Sequence, residues 1–95
     1  MSKRKPRKYD SVFIKWQDAC TVHGEWQRHD KTLTQRESIQ YTAAIYYGES
    51  EGALQLAQSY QLEGGDKDGV FAIPTGIVLD INVIYRPKKE ELPNV

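Results

Sequence analysis

The chain has 95 residues, 39% of them hydrophobic and 27% charged, which suits one globular domain with one modest core and leaves little room for a second. Its formal net charge of zero is unevenly distributed: Lys3, Arg4, Lys5, Arg7 and Lys8 supply five of the 13 basic residues, so the rest of the chain is acidic, with a net charge of −5. An acidic body is poorly suited to a phosphate backbone, the single cysteine excludes an internal disulfide, and no apolar run approaches the roughly 20 residues of a membrane-spanning helix.

Residues 1–9 ("MSKRKPRKY") combine charge with Pro6 and no apolar run, which predicts a disordered basic arm outside the core. With no apolar stretch after these basic residues, a secretory signal is not expected, and a cytoplasmic protein is. The domain proper is expected over residues 10–86. Its first strand is "DSVFIKWQ", with Val12, Ile14 and Trp16 on one face and Ser11, Phe13, Lys15 and Gln17 on the other.

A loop of roughly twenty residues should follow, long enough to invite a functional reading. It begins near "WQDACTVHGEWQRHD", which holds the only cysteine and both histidines. Cys20, His23 and His29 have the residue types of a zinc site but lack the paired ligands at both ends that zinc signatures carry. Nothing around Cys20 resembles an activated nucleophile. The loop is therefore read as neither a metal site nor a catalytic one, and no cofactor is expected. Trp26 and Arg28 are its chemically interesting pair, because an aromatic ring beside a guanidinium can hold a base and its phosphate. A short helical turn could fit between Arg28 and Glu37.

Four more strands follow. "SIQYTAAIYY" alternates Ile39, Tyr41, Ala43, Ile45 and Tyr47 with Gln40, Thr42, Ala44 and Tyr46, so Tyr46 and Tyr47 should face opposite ways. "GESEG" marks a turn, and "ALQLAQSY" can point Leu54 and Leu56 inward. "EGGDKDG" is a flexible connection; it lacks the twelfth-position glutamate of a calcium loop and the Lys-Ser/Thr of a phosphate loop. "VFAI" and "GIVLDINVIY" are separated at Pro74 and Thr75, where proline should interrupt pairing. In the last strand Ile77, Leu79, Ile81, Val83 and Tyr85 are expected on one face. Residues 87–95 read as a flexible tail.

Five short strands around one core predict an all-β fold, a small five-stranded SH3-like or Sm-like barrel with a long loop after strand 1. The six tyrosines suggest that rings are buried between subunits of a homo-oligomer.

Val12, Ile14, Trp16, Asp18, Ala19, Trp26, Leu56, Ala57, Ile73, Pro74 and Gly76 form a V-x-I-x-W-x-D-A…L-A…I-P-x-G pattern that resembles a group of small phage- and prophage-encoded proteins. The resemblance covers residues 10–81 and implies a setting: a phage accessory protein that blocks a host protein or sequesters a nucleotide signal of host defence. The expected function is thus a non-catalytic binding protein that uses Trp26, Arg28, Tyr46 and Arg86 for a nucleotide ligand. The alternative is a nucleic-acid-binding Sm-like protein whose arm residues Lys3, Arg4, Lys5, Arg7 and Lys8 track phosphates.

Overall fold

The structure is a computed structural model, and it describes residues 4–17 and 39–94. Seven strands are present among these residues: β1 (Ser11–Gln17), β2 (Ile39–Ser50), β3 (Ala53–Ala57), β4 (Ser59–Tyr60), β5 (Lys67–Asp68), β6 (Phe71–Pro74) and β7 (Val78–Tyr85). Five of them form one antiparallel sheet in the order β6-β3-β2-β1-β7, and β4 and β5 form a separate small hairpin. The fold is all-β, and no helix among the described residues is long and apolar enough to cross a membrane.

The alternation in β1 does what its pattern requires. Val12 and Ile14 are fully buried while Phe13, between them, is 39% exposed. They join Ala44, Leu54, Leu56 and Ile73 in one core, with Trp16, Tyr46, Phe71, Ile77, Val78, Ile81 and Val83 packed around it. Trp16 donates its indole N–H to Thr42 Oγ1 at 2.9 Å, so a large apolar side chain enters the core with its polar atom satisfied.

The β2–β3 turn comprises Glu51 and Gly52, at φ +52° and +76°, between the paired residues Ser50 and Ala53. Two successive positive φ values match the twist of the flanking strands, as two-residue hairpins require. Pro74 stays in register opposite Ala53, contrary to the expected break in pairing. It sits at the end of an edge strand, where a missing N–H is tolerated. Thr75 then donates both its N–H and its hydroxyl to the Gly52 carbonyl, at 2.9 and 3.1 Å, and opens a 3-10 turn over Thr75–Ile77.

Three other expectations need correction. In β7 the period of two is interrupted twice: Trp16 faces Val78 while Lys15 faces Asp80, and Val12 faces Val83 while Ser11 faces Tyr85. Leu79 and Ile84 are the extra residues of these bulges; of the residues expected on the inner face, Leu79 is 51% and Tyr85 48% exposed. The arm is not free from Lys5 to Tyr9, because the Lys5 carbonyl accepts from Arg86 and the Tyr9 N–H donates to Tyr46 O. Nor is the C-terminal segment free: Tyr60 and Tyr85 both donate their hydroxyls to Glu91, and the Asn94 N–H donates to Leu62 O.

These additions cover part of the outer face of the sheet. Ala57 is fully buried yet lies outside the main core, opposite Ile45. The N-terminal turn, the β4–β5 hairpin and the C-terminal segment all gather at this end. Farther along, the same face is open, and Phe13 and Tyr41 stack there with ring centroids 5.6 Å apart and planes within 14°.

Candidate functional site: a row of tyrosines between two clefts

Four of the six tyrosines meet at the covered end of the sheet, and three local irregularities bring them there. The first is a turn over residues 7–10, closed by the Asp10 N–H to Arg7 O bond, in which Tyr9 takes φ +78°. A bulky residue in the left-handed region is strained by about 1–2 kcal/mol, and glycine would occupy the position freely. The second is a bulge in β2: Tyr46 pairs with Leu56 and Gly48 with Gln55, which leaves Tyr47 as the extra residue. Gly48 absorbs the kink at φ +123°, a value side-chain-bearing residues avoid. The third is the β4–β5 hairpin, which carries Tyr60 and Lys67.

Tyr9 is the middle of the row. Its ring meets Tyr47 edge-on at 5.3 Å and Tyr60 at 5.2 Å, with interplanar angles of 77° and 63°. On the Tyr47 side two ammonium groups converge. Lys67 Nζ lies 4.5 Å from the Tyr47 ring centroid, and Lys8 Nζ lies 6.0 Å from it and 5.2 Å from that of Tyr9. This cleft has a volume of about 340 Å³, and its charged lining is Lys8, Lys67 and Glu49. The Tyr47 hydroxyl is buried with no hydrogen-bond partner among the described residues. Burial raises its pKa above the ordinary 10.0, and neighbouring Tyr9 and Tyr60 add to that effect.

On the other side of the row lies a cleft of about 330 Å³ lined by Tyr9, Tyr60, Tyr85, Pro87 and Glu91 among others. The Tyr60 hydroxyl donates to the Glu91 carbonyl at 2.8 Å and the Tyr85 hydroxyl to Glu91 Oε1 at 2.6 Å. With the Lys88 N–H also donating to that oxygen, the Glu91 carboxyl is held below its ordinary pKa and carries its charge.

The nucleotide-binding set expected from the sequence falls only partly within the described residues. Trp26, Arg28 and Lys3 lie outside the described residues, as do Cys20, His23 and His29. Tyr46 packs against the core, and its hydroxyl pKa is raised by burial and by the charge of Glu49. The Arg86 guanidinium is engaged by Asp10 and by the Lys5 carbonyl. Neither Tyr46 nor Arg86 lines either cleft. Of the described basic arm residues Arg4, Lys5, Arg7 and Lys8, Lys8 alone lines one of the two clefts. The residues that sequence reasoning passed over are Tyr9, Tyr47, Tyr60 and Lys67. The abundance of tyrosine was the one available signal, and it does not say which rings meet.

Comparison with protein-family models, with curated proteins and with solved structures returned no match for this chain.

Proposed function

We propose that this protein is a non-catalytic binding module whose ligand is a flat, negatively charged molecule of nucleotide type, held between Lys8, Lys67 and the Tyr47 ring. The observation that carries the reading is the convergence of two ammonium groups from distant parts of the chain on one tyrosine ring. Such an arrangement supplies a ring surface for a base and two donors for a phosphate. The strained Tyr9 supports it, since a backbone outlier beside a cleft is a common mark of a working site.

The test is isothermal titration with adenine and cyclic nucleotides at low salt, on the wild type and on Lys67→Gln. Saturable binding that weakens at least fivefold in the variant supports the reading. No heat at high micromolar nucleotide with any of them would sink it.

A second reading is single-stranded nucleic acid, favoured by the continuity of Arg4, Lys5 and Arg7 with Lys8 at the cleft. Each phosphate contact adds to the salt dependence of binding, so removal of residues 1–8 should flatten that dependence in a gel-shift assay. The acidic charge of the remaining chain ranks this reading second.

The proposed architecture is the SH3-like or Sm-like barrel. It is supported by the sheet order, in which a 3-10 turn after β6 sends β7 back to pair with β1. Self-association would use the exposed Phe13–Tyr41 stack, and native mass spectrometry reads it directly. The phage accessory setting, with a host protein or nucleotide signal as target, rests on the resemblance in sequence alone.

A further inference from the structure

The second cleft differs from the first in the sign of its charge. Its one charged lining residue is Glu91, whereas its other walls include the side chains of Tyr9, Tyr60 and Tyr85. Lys88, the N-cap of the 3-10 turn that carries Glu91, and Lys89 within that turn do not line the cleft. The Arg86 charge is matched by Asp10, and Lys8, 5.2 Å from the Tyr9 ring centroid, lines the other cleft. Tyr9 and Tyr60 present rings at 63° to one another, which forms two walls of a corner. The hydroxyls of Tyr60 and Tyr85 are both tied to Glu91, so these rings are held before any ligand arrives.

Aromatic faces carry negative charge density, and several of them around one carboxylate attract a weakly hydrated cation. An anion would meet the same rings and the same carboxylate unfavourably. The volume of about 330 Å³ lies at the small end of the ligand-site range of about 300–1,000 Å³, which suits a compact head group.

We propose that the cleft formed by Tyr9, Tyr60, Tyr85 and Glu91 binds an alkylated ammonium group, as carried by choline or a methylated lysine side chain. This site is separate from the cleft proposed for the nucleotide: Tyr9 lines this one and only backs the other, through its edge-on contact with Tyr47.

The experiment is an NMR titration of the full chain with choline chloride, following the tyrosine ring resonances, alongside its neutral carbon isostere 3,3-dimethylbutanol and an arginine amide. Choline should shift Tyr9, Tyr60 and Tyr85 saturably in the millimolar range, with the isostere at least tenfold weaker. Tyr85→Ala and Glu91→Gln should each weaken choline several-fold. Lys67→Gln should leave it unchanged, which separates this site from the nucleotide reading. Equal binding of choline and its isostere would overturn the proposal, as would tighter binding of the arginine amide than of choline. Non-saturable shifts up to 50 mM choline would also overturn it. Tyr85→Phe, which keeps the ring, guards against misreading an unfolded alanine variant; it should retain most of the binding.

Discussion

Arg86 grips Asp10 with two parallel bonds, Nε to Oδ1 at 3.0 Å and Nη2 to Oδ2 at 2.7 Å, across 76 residues of sequence. Asp10 is 1% exposed and also accepts the Arg7 N–H at 2.9 Å. The pair ties the start of the domain to the residue just after β7. It also holds in place the turn from which Tyr9 projects.

Asp10→Asn should therefore cost about 2–4 kcal/mol, because it removes one partner of a buried, hydrogen-bonded ion pair. Urea denaturation at neutral pH measures it. Burial pushes the Asp10 pKa up, but the Arg86 hydrogen bonds, the Arg7 N–H and the two arginine charges outweigh burial and bring it below the ordinary 3.8. With the folded-state value depressed, the stabilisation is present above about pH 4 and is lost as pH falls through the folded value. The variant should show a shallower loss of stability between pH 5 and 2 than the wild type.

Tyr9 offers a test of backbone strain. At φ +78° glycine is the comfortable residue and alanine is not. Tyr9→Gly should be more stable than Tyr9→Ala by about 0.5–1 kcal/mol, the reverse of the usual order. Both variants lose the central ring and should lose binding at both clefts. Equal stability of the two would mean that the turn relaxes out of the left-handed region.

Gly48→Ala probes the bulge that presents Tyr47. A Cβ there would meet nothing within 4 Å, so the cost is purely conformational, about 1–3 kcal/mol. The urea midpoint should fall, and nucleotide affinity should fall with it as Tyr47 is re-aimed. A fall in stability with unchanged affinity would separate the bulge from the site.

The Tyr47 hydroxyl yields a prediction that concerns stability alone. Because this buried hydroxyl has no partner among the described residues, Tyr47→Phe should be neutral or stabilising by up to about 1 kcal/mol. The ring in the cleft wall is kept, so nucleotide affinity should be unchanged in the same variant.

The pH dependence on the alkaline side follows from four tyrosines. Burial raises Tyr46, Tyr47 and Tyr60 above 10.0, and the hydrogen bond to Glu91 raises Tyr85. Folded-state values above the unfolded one mean stability that is full below about pH 10 and is lost as pH rises through them. Tyrosinate absorbance should therefore lag behind that of the urea-unfolded chain above pH 10.

The strands were legible because a strand's signature is local. Val12 and Ile14 alternate with Phe13 in the sequence and alternate in burial in the fold. Leu79 shows where this reading stops: a bulge shifts the phase by one residue, and a period-two pattern cannot see an inserted residue that leaves the composition unchanged. The contacts of the arm are hidden from the sequence for a related reason. Its composition is that of a free tail, and the contacts that bind it, from Arg86 and Tyr46, come from residues 37 to 81 positions away.

By itself the sequence determined the all-β character, the inward faces of β1 and β3, a turn within residues 48–52, and the split between a basic N-terminus and an acidic body. All of these follow from neighbouring residues, through side-chain alternation, turn chemistry and charge. That the turn is only Glu51 and Gly52, with Gly48 to Ser50 still in β2, came from the pairing. Only the tertiary structure decided which tyrosines meet, that Lys8 and Lys67 converge on Tyr47, and that Arg86 is bound by Asp10. Those outcomes depend on one strained turn, one glycine-borne bulge and contacts across most of the chain, where long-range packing outweighs local preference.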